Sequence, residues 1–477
     1  MSRRKRPLPH LENIIITDAA AEGKCIAKTE DKVVFVPFTA PGDVVDIQIT
    51  KKRKSYLEGR VTNFHDYSKE RTEPKCSHFG LCGGCKWQHV KYENQLLNKQ
   101  KQVTDSFERI AKVDVNDTLP IIGGDNQYFY RNKLEYTFSD RRWLTDEDVS
   151  KEDGGPLDTN GLGFHLPGMF DKILDIETCY LQKDPSNAIR LFIKDYAKKN
   201  NLEFYNARSH EGFLRNVIIR TSTIEDLMVI VIFKYDDMVI ADMMKAIGDK
   251  FSEITSLMYV INEKNNDTIW DLDVRLAKGE PFLMEEIKRP QEDLPDLKFK
   301  VRPKSFYQTN PEQAFKLYMT AFEFADFKGD ELVYDLYTGI GTIADFIAGS
   351  VKKVIGIESV EQAIDDAKEN ALLNKIDNVE FFVGDMLKIL TEEFFLEHGK
   401  PDVIVTDPPR AGMHEKVVKQ ILSAMPDKII YVSCNPASQA RDIAILSEKY
   451  EVLKIQPVDM FPNTHHVENV ALLVIKK

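Results

Sequence analysis

A chain of 477 residues is too long for one compact core, so two to four domains are expected. Hydrophobic residues at 43% and charged residues at 29% describe an ordinary globular protein, with no apolar run near the roughly 18 residues of a transmembrane helix. No transmembrane helix is therefore expected, and a cytoplasmic location follows by default. The net charge of −12 does not favour a nucleic-acid partner, although two local basic runs, Arg3-Arg-Lys-Arg6 and Lys51-Lys-Arg-Lys54, keep phosphate binding open.

Residues 8–64 read as short strands, Asn13–Thr17, Val33–Pro37, Asp43–Thr50 and Tyr56–Phe64, split by turns such as Ala40-Pro-Gly-Asp43. Short strands at this spacing predict a small β-barrel. The next segment holds Cys76, Cys82 and Cys85 among glycines, which permit the tight backbone that sulfur ligation of a metal demands. The fourth thiol must come from a distance. Cys179 is the natural choice, because Cys25 falls in the barrel. Spacing alone leaves zinc and an iron–sulfur cluster both open. Tyr92–Lys112 carries Leu96, Leu97, Val103, Phe107 and Ile110 at helical spacing.

From 126 to 300 the pattern is mixed, with strands at Leu134–Phe138, Asn216–Thr221 and Leu227–Lys234, a helix at Val239–Phe251 and a polar loop at Asp146–Thr159. After Pro290 the regime changes. A helix at Gln313–Phe324 precedes strands at 331–336, 353–358, 379–383, 402–406 and 428–433, alternating with helices at 342–349, 360–373, 413–424 and from 436. This alternation predicts an α/β domain with a mainly parallel sheet and right-handed crossovers.

Four acids sit at successive strand ends: Asp335 before the Gly339-Ile-Gly341 turn, then Glu358, Asp385 and Asp407. A glycine turn of this kind also fits a dinucleotide. Four carboxylates, however, would crowd two phosphates, whereas they suit a cation with a ribose and an amino group, which S-adenosyl-L-methionine is. Cys434 ends the last of these strands, at Ser433-Cys-Asn-Pro436, on the same edge. A lone cysteine after an apolar strand is ordinarily a core residue, but Asn435-Pro436 breaks the strand and favours the site rim. A thiolate there has a clear use. Added to carbon 6 of uracil, it makes carbon 5 enolate-like and able to accept a methyl group. A base must then remove the carbon-5 proton, and Glu468, in His465-His-Val-Glu468, is the candidate.

Ser305-Phe-Tyr-Gln-Thr-Asn310, Asp335–Gly341, Asp407-Pro-Pro-Arg410, Ser433–Pro436 and Met460–Glu468 together resemble the uracil-5 RNA methyltransferases that act on ribosomal and transfer RNA. The resemblance implies a Rossmann-like class I methyltransferase domain, with Cys434 as nucleophile and Glu468 as base. Gln308, Asp335, Glu358 and Asp407 correspond to cofactor-pocket positions, and Tyr337, Gly339 and Asp385 complete that expected site. Phe306 corresponds to an aromatic near the target base, and Arg131, in Tyr130-Arg-Asn-Lys133, to a segment next to the substrate.

The cysteine segment with Trp87-Gln-His89 is similar to the [4Fe–4S] motif of the branch acting on 23S ribosomal RNA. Residues 8–64 resemble an OB-like TRAM barrel. The implied layout is a TRAM domain at 1–65, a mixed α+β middle domain with the iron–sulfur motif at 66–300 and the methyltransferase domain at 301–477. A helix near 93–124 is expected to pack back on the last. The implied substrate is 23S ribosomal RNA, with transfer RNA as the alternative, and no segment calls for an obligate protein partner.

Departures from the family pattern are Asn463 where His is common, His465 where Gly is common, Asn469 where Ser follows the base, and Gln439 where Leu is usual.

Overall fold

The computed structural model describes residues 8–116, 118–145, 148 and 157–476. The basic run at 3–6 and most of the expected loop at 146–159 lie outside them. No described helix is long and apolar enough to cross a membrane.

Five strands, β1 (His10–Ala19), β2 (Lys24–Lys28), β3 (Val33–Pro37), β4 (Val44–Lys52) and β5 (Tyr56–Asp66), close into a barrel in the order β1-β2-β3-β5-β4. Alternate residues such as Val34, Val36, Val45 and Ile47 fill its interior, as the period of two in a strand dictates. Asp43 clamps the barrel. Its buried carboxylate accepts from Ala40 N (2.7 Å), Ser68 N (2.9 Å) and the Arg71 guanidinium (2.7 and 2.8 Å). Strand β2 was not among the expected strands.

The middle sheet has seven strands: β6 (Lys133–Ser139), β7 (Gly161–His165), β8 (Ile173–Asp175), β9 (Leu214–Thr221), β10 (Leu227–Phe233), β11 (Ser256–Ile261) and β12 (Val274–Gly279), in the order β12-β11-β10-β9-β6-β7-β8. Helices Ser186–Lys199 and Val239–Lys250 cover one face. Ile218, Met228, Ile230 and Ile232 on the other face join the core of the following sheet. Burial on both faces explains why β10 is apolar at every position, Leu-Met-Val-Ile-Val-Ile-Phe. A two-stranded ribbon, β13 (Leu283–Ile287) with β14 (Leu297–Val301), follows.

The last sheet runs β17-β16-β15-β18-β19-β21-β20. Its strands are β15 (Leu332–Leu336), β16 (Lys353–Glu358), β17 (Val379–Val383), β18 (Val403–Thr406), β19 (Lys428–Ser433), β20 (Tyr450–Val458) and β21 (Glu468–Ile475). The first five are parallel, and β21 is antiparallel to both of its neighbours. Strand order reverses between β16 and β18 around β15, so the crevice for a ligand opens at the carboxyl ends of these strands.

The helix expected over 93–124 is shorter. Helix α1 covers Tyr92–Ser106, and a wider turn at Phe107–Ala111 ends at Lys112 with φ 60°. Beyond it the chain lies along β20, with bridges Thr118↔Ile455 and Ile122↔Val458. Val103 and Phe107 are buried in the core of the last sheet.

Candidate active site

Strand β15 delivers Asp335 into the crevice and then turns sharply. Tyr337 (φ 63°), Gly339 (φ 58°) and Gly341 (φ 83°) are all left-handed. A Cβ on Gly341 would meet Phe381 at 3.0 Å, whereas one on Gly339 would enter open space. Gly339 therefore leaves room beside a bare backbone, the condition for close approach of a ligand.

Asp335 is buried, and its carboxylate accepts from the Thr338 hydroxyl. Burial, with the charges of Asp407 and Glu358, raises it to about 7. Burial alone raises Asp407 to about 7. Glu358 ends β16 half-buried, with Oε1 accepting from Ser359 N (2.7 Å) and Val360 N (3.1 Å). Asp385 is exposed and caps a short helix, accepting from Leu387 N at 3.0 Å. With Tyr337 it lines a cavity of about 320 Å³. Gly339, Glu358 and Phe306 line a separate groove of about 520 Å³. Gln308 is buried and is held through its carbonyl by Asn132 Nδ2 (3.1 Å).

Cys434 follows β19 directly and is half-buried. Asn435 caps the next helix, Pro436–Leu446, by accepting from Ala437 N (3.2 Å), with Pro436 in the first turn. Asn435 Nδ2 and Ser438 Oγ both donate to Arg410 O, at 3.0 and 3.1 Å, so the turn after Asp407 and the turn after Cys434 are fastened together. Across the sheet Ser433 pairs with Asn469. One antiparallel step further sets Cys434 opposite Glu468. Their electrostatics agree with that proximity. Burial, then Glu468, then Asp407 push the Cys434 thiol up to about 12, with Arg410 opposing. Burial and Asp407 raise Glu468 well above the usual carboxylate range.

The loop before Glu468 is gripped on every side, largely by residues that sequence reasoning passed over. Asp459 Oδ1 takes a buried ion pair from Lys99 of α1 (2.5 Å) and accepts from Phe461 N (3.0 Å). Its Oδ2 accepts from the Tyr92 hydroxyl (2.8 Å). Lys99 also donates to Phe461 O (3.0 Å). Asn310 Nδ2 donates to Met460 O (2.9 Å), Gln313 Nε2 to Asp459 O (2.8 Å) and the Tyr130 hydroxyl to Pro462 O (2.9 Å). Asn463 N donates to Gln95 Oε1 (2.9 Å). The neighbouring Arg131 lays its guanidinium over Phe461 at 5.0 Å.

The departures at 439 and 469 answer each other. Asn469 Nδ2 donates to Gln439 Oε1 (2.8 Å), and Gln439 Nε2 donates back to Asn469 O (3.3 Å). Asn463, left-handed at φ 66°, accepts at its carbonyl from Lys86 N (2.9 Å) and Trp87 N (3.0 Å). It thereby ties the cysteine motif to the loop. The His465 and His466 rings lie 4.1 Å apart, tilted by 36°. Burial with neighbouring cations lowers His465 to about 4, and burial, then His465 and those cations, lower His466 to about 3.

Cys76, Cys82, Cys85 and Cys179 all line one small cavity with Phe79, Phe164 and Leu181, and none is in a disulfide. Among the described residues no three His, Cys, Asp or Glu side chains are gathered as they would be around one metal ion. Burial raises Cys82 to about 11 and Cys179 to about 12.

Comparison with known proteins agrees with this architecture. The family model tRNA (uracil-5-)-methyltransferase matches residues 288–477, and that of the TRAM domain matches residues 12–62. An uncharacterized RNA methyltransferase of Bacteroides thetaiotaomicron is 54% identical over 96% of this chain and 100% of its own length. One from Chlorobaculum tepidum is 40% identical over 96% and 95%. Among solved structures, the Pyrococcus abyssi tRNA (uracil-54, C5)-methyltransferase in complex with S-adenosyl-L-homocysteine is 26% identical, covering 96% of this chain and 99% of its own, with a TM-score of 0.73. A barrel in front, a class I methyltransferase sheet behind and this degree of identity along nearly the whole length make the chain a member of the uracil-5 RNA methyltransferase family of enzymes.

Proposed function

We propose that this enzyme methylates carbon 5 of one uridine in 23S ribosomal RNA, using Cys434 as nucleophile and Glu468 as base. The observation that carries the chemistry is the register of β19 and β21, which sets Cys434 opposite Glu468 beside Asp407. The Cys434 thiolate adds to carbon 6 of the uracil, and the electron pair released to carbon 5 forms the bond to the incoming methyl. Bound S-adenosyl-L-methionine would supply that methyl as an electrophile, the electrons of its S–CH3 bond staying on sulfur as S-adenosyl-L-homocysteine leaves. Glu468 then takes the carbon-5 proton, and the electrons return to expel the thiolate. Burial makes Glu468 a stronger base than a solvated carboxylate, which suits the task. Asp335, Tyr337, Gly339, Glu358, Asp385, Asp407 and Gln308 would hold the cofactor, and a cation beside Asp335 and Asp407 would offset the charge that resists thiolate formation. Phe306 and Arg131 would face the target nucleotide.

In this reading the chain has three working parts: the barrel at 1–65, the middle part at 66–300 with α1 seated on the next, and the catalytic part at 301–477. The four thiols line one apolar cavity and are the donor type a [4Fe–4S] cluster takes, although they are not drawn together as around a single metal ion; the role of such a cluster would be to fold the middle part. Iron and sulfide assays on anaerobically purified protein test this; protein fully folded without either would exclude it.

The ribosomal substrate is favoured by the likeness of the cysteine motif to the ribosomal branch. Transfer RNA is the second reading, favoured by the Pyrococcus abyssi enzyme's own substrate. RNA from cells lacking the protein, incubated with labelled S-adenosyl-L-methionine and separated into pools, decides between them; label in neither pool refutes both. Cys434→Ala should abolish turnover, and Glu468→Gln should trap a covalent protein–RNA adduct. Efficient turnover by the alanine variant would end the nucleophile assignment.

A further inference from the structure

The groove that begins at Gly339 and Glu358 does not stop at the cofactor crevice. It runs on between two exposed aromatics, Phe306 (64% exposed) and Trp270 (62% exposed), with Met258, Val274 and Leu276 among its walls. Two large aromatics open to water beside one groove with apolar walls form the kind of contiguous exposed patch that marks a binding surface.

Both aromatics are held out on pinned loops, and by the same strand. Arg215 of β9 is buried, and its guanidinium donates to Asn262 O (2.8 Å), Asn266 O (3.0 Å) and Asp267 (2.9 Å), fixing the loop that presents Trp270. Arg220, also on β9 and buried, donates to Arg302 O (3.1 Å) and Ser305 O (3.2 Å), fixing the loop that presents Phe306. Ser305 Oγ further donates to Asp366 (2.6 Å). Two buried cations donating to carbonyls of two loops mean that the placing of each ring beside the groove is built, not incidental. An exposed aromatic so fixed offers a face on which one flat, unstacked ring can stack, and Lys304 on the groove wall is a partner for a passing phosphate.

We propose that this groove is a second base subsite, which takes one unstacked nucleobase of the RNA substrate, adjacent to the target uridine, against Trp270. The proposal rests on the reading above in one respect: Phe306 marks the place of the target base. The groove is continuous with the cofactor crevice through Gly339 and Glu358, which commits it to the strand carrying the reacting uridine rather than to a protein partner. Prying neighbouring bases apart and holding each on its own aromatic is how a uridine would be kept out of its stack.

The test compares Trp270→Ala and Trp270→Phe with the unchanged enzyme on substrate RNA in steady state. Trp270→Ala is expected to raise KM for RNA about tenfold or more, with Trp270→Phe recovering most of it and S-adenosyl-L-homocysteine affinity unchanged. Substrates carrying one abasic nucleotide beside the target give a second readout. At one flanking position the lesion should weaken the unchanged enzyme but not Trp270→Ala. Equal KM values, or no flanking position with that pattern, would overturn the subsite. Loss of S-adenosyl-L-homocysteine binding in Trp270→Ala would also overturn it, by making the groove part of the cofactor pocket.

A short single-stranded oligoribonucleotide containing one uridine should quench tryptophan fluorescence in the unchanged enzyme but less in Trp270→Phe, because of the other two tryptophans Trp87 is buried and Trp143 is half-buried away from the groove lining. Quenching without any methyl transfer would mean that the functional reading had failed while the subsite stood. Methyl transfer without quenching would mean the reverse.

Discussion

Replacing Lys99 by Met removes the cation from a carboxylate that has no access to water. Lys99 and Asp459 are both fully buried and 2.5 Å apart. Breaking a buried pair from one side costs about 3–5 kcal/mol, because the remaining charge is left uncompensated. Asp459 would keep two donors, the Tyr92 hydroxyl and Phe461 N. The expected cost is therefore at the low end, about 3 kcal/mol, which corresponds to roughly a 100-fold rise in the opening equilibrium. The loss should be local, because the pair joins α1 to the 459–467 loop and not to the barrel.

Hydrogen exchange of peptides covering that loop is the appropriate assay, since a chain of several domains has no single unfolding midpoint. Exchange should accelerate about 100-fold in the loop and in α1, and little in the barrel. Adding Asp459→Asn should restore most of the protection, because the amide oxygen can still accept from Phe461 N, its Nδ2 can donate to the Tyr92 hydroxyl oxygen, and no charge is stranded. A single variant within about threefold of the unchanged protein would refute the claim that this pair holds the loop.

Asp335 and Asp407, both raised to about 7, are protonated at pH 6 and ionised at pH 8. Affinity for S-adenosyl-L-methionine should thus rise about tenfold over that range, and more than for the uncharged sulfur of S-adenosyl-L-homocysteine; a flat profile would contradict the assignment. The linked effect on the free enzyme has the opposite sense. A carboxyl with a raised folded-state pKa stabilises below its unfolded value of 3.8, and that contribution is lost as pH rises through about 7. Asp335→Asn should therefore stabilise the cofactor-free protein at pH 8 and not at pH 4, as read by hydrogen exchange of peptides covering β15, corrected for the intrinsic rate at each pH. Gln439→Leu should cost about 1–3 kcal/mol by stranding the buried Asn469 amide, with the double variant Gln439→Leu, Asn469→Ser returning most of it; additive losses of protection in hydrogen exchange of the β19 and β21 peptides would refute the pairing.

Strands 353–358, 379–383 and 428–433 coincide with what the sequence leads one to expect, because each is a short apolar run closed by glycine, a carboxylate or Asn-Pro. Strands β2, β7, β8, β11 and β12 and the terminal antiparallel pair carried no such punctuation. Helix α1 shows the deeper limit. Its apolar spacing pointed to Leu97 and Ile110 as inward residues, yet they are 65% and 43% exposed, while Gln95 and Lys99 are buried. A polar side chain is read as outward unless its partner is known, and here the partners are Asp459 and Asn463, more than 350 positions away. The strand-end acids were legible as a set, but their division between two cavities was not. Cys179 could be chosen only by default, since nothing near it in sequence marks it. Trp270 went unnoticed because one aromatic in a polar loop has no pattern.

The ion pair between Lys99 and Asp459 also orders events during synthesis. Three hundred and sixty positions separate its members, and the Gln95–Asn463 bond spans 368. The barrel and cysteine motif leave the ribosome early, but α1 must wait for the last strands before its buried lysine finds a counter-charge. Until then Lys99 has no counter-charge and Gln95 no loop to hold. A nascent chain can therefore complete its barrel long before the 459–467 loop is held, since that hold needs both α1 and the strands that follow 450.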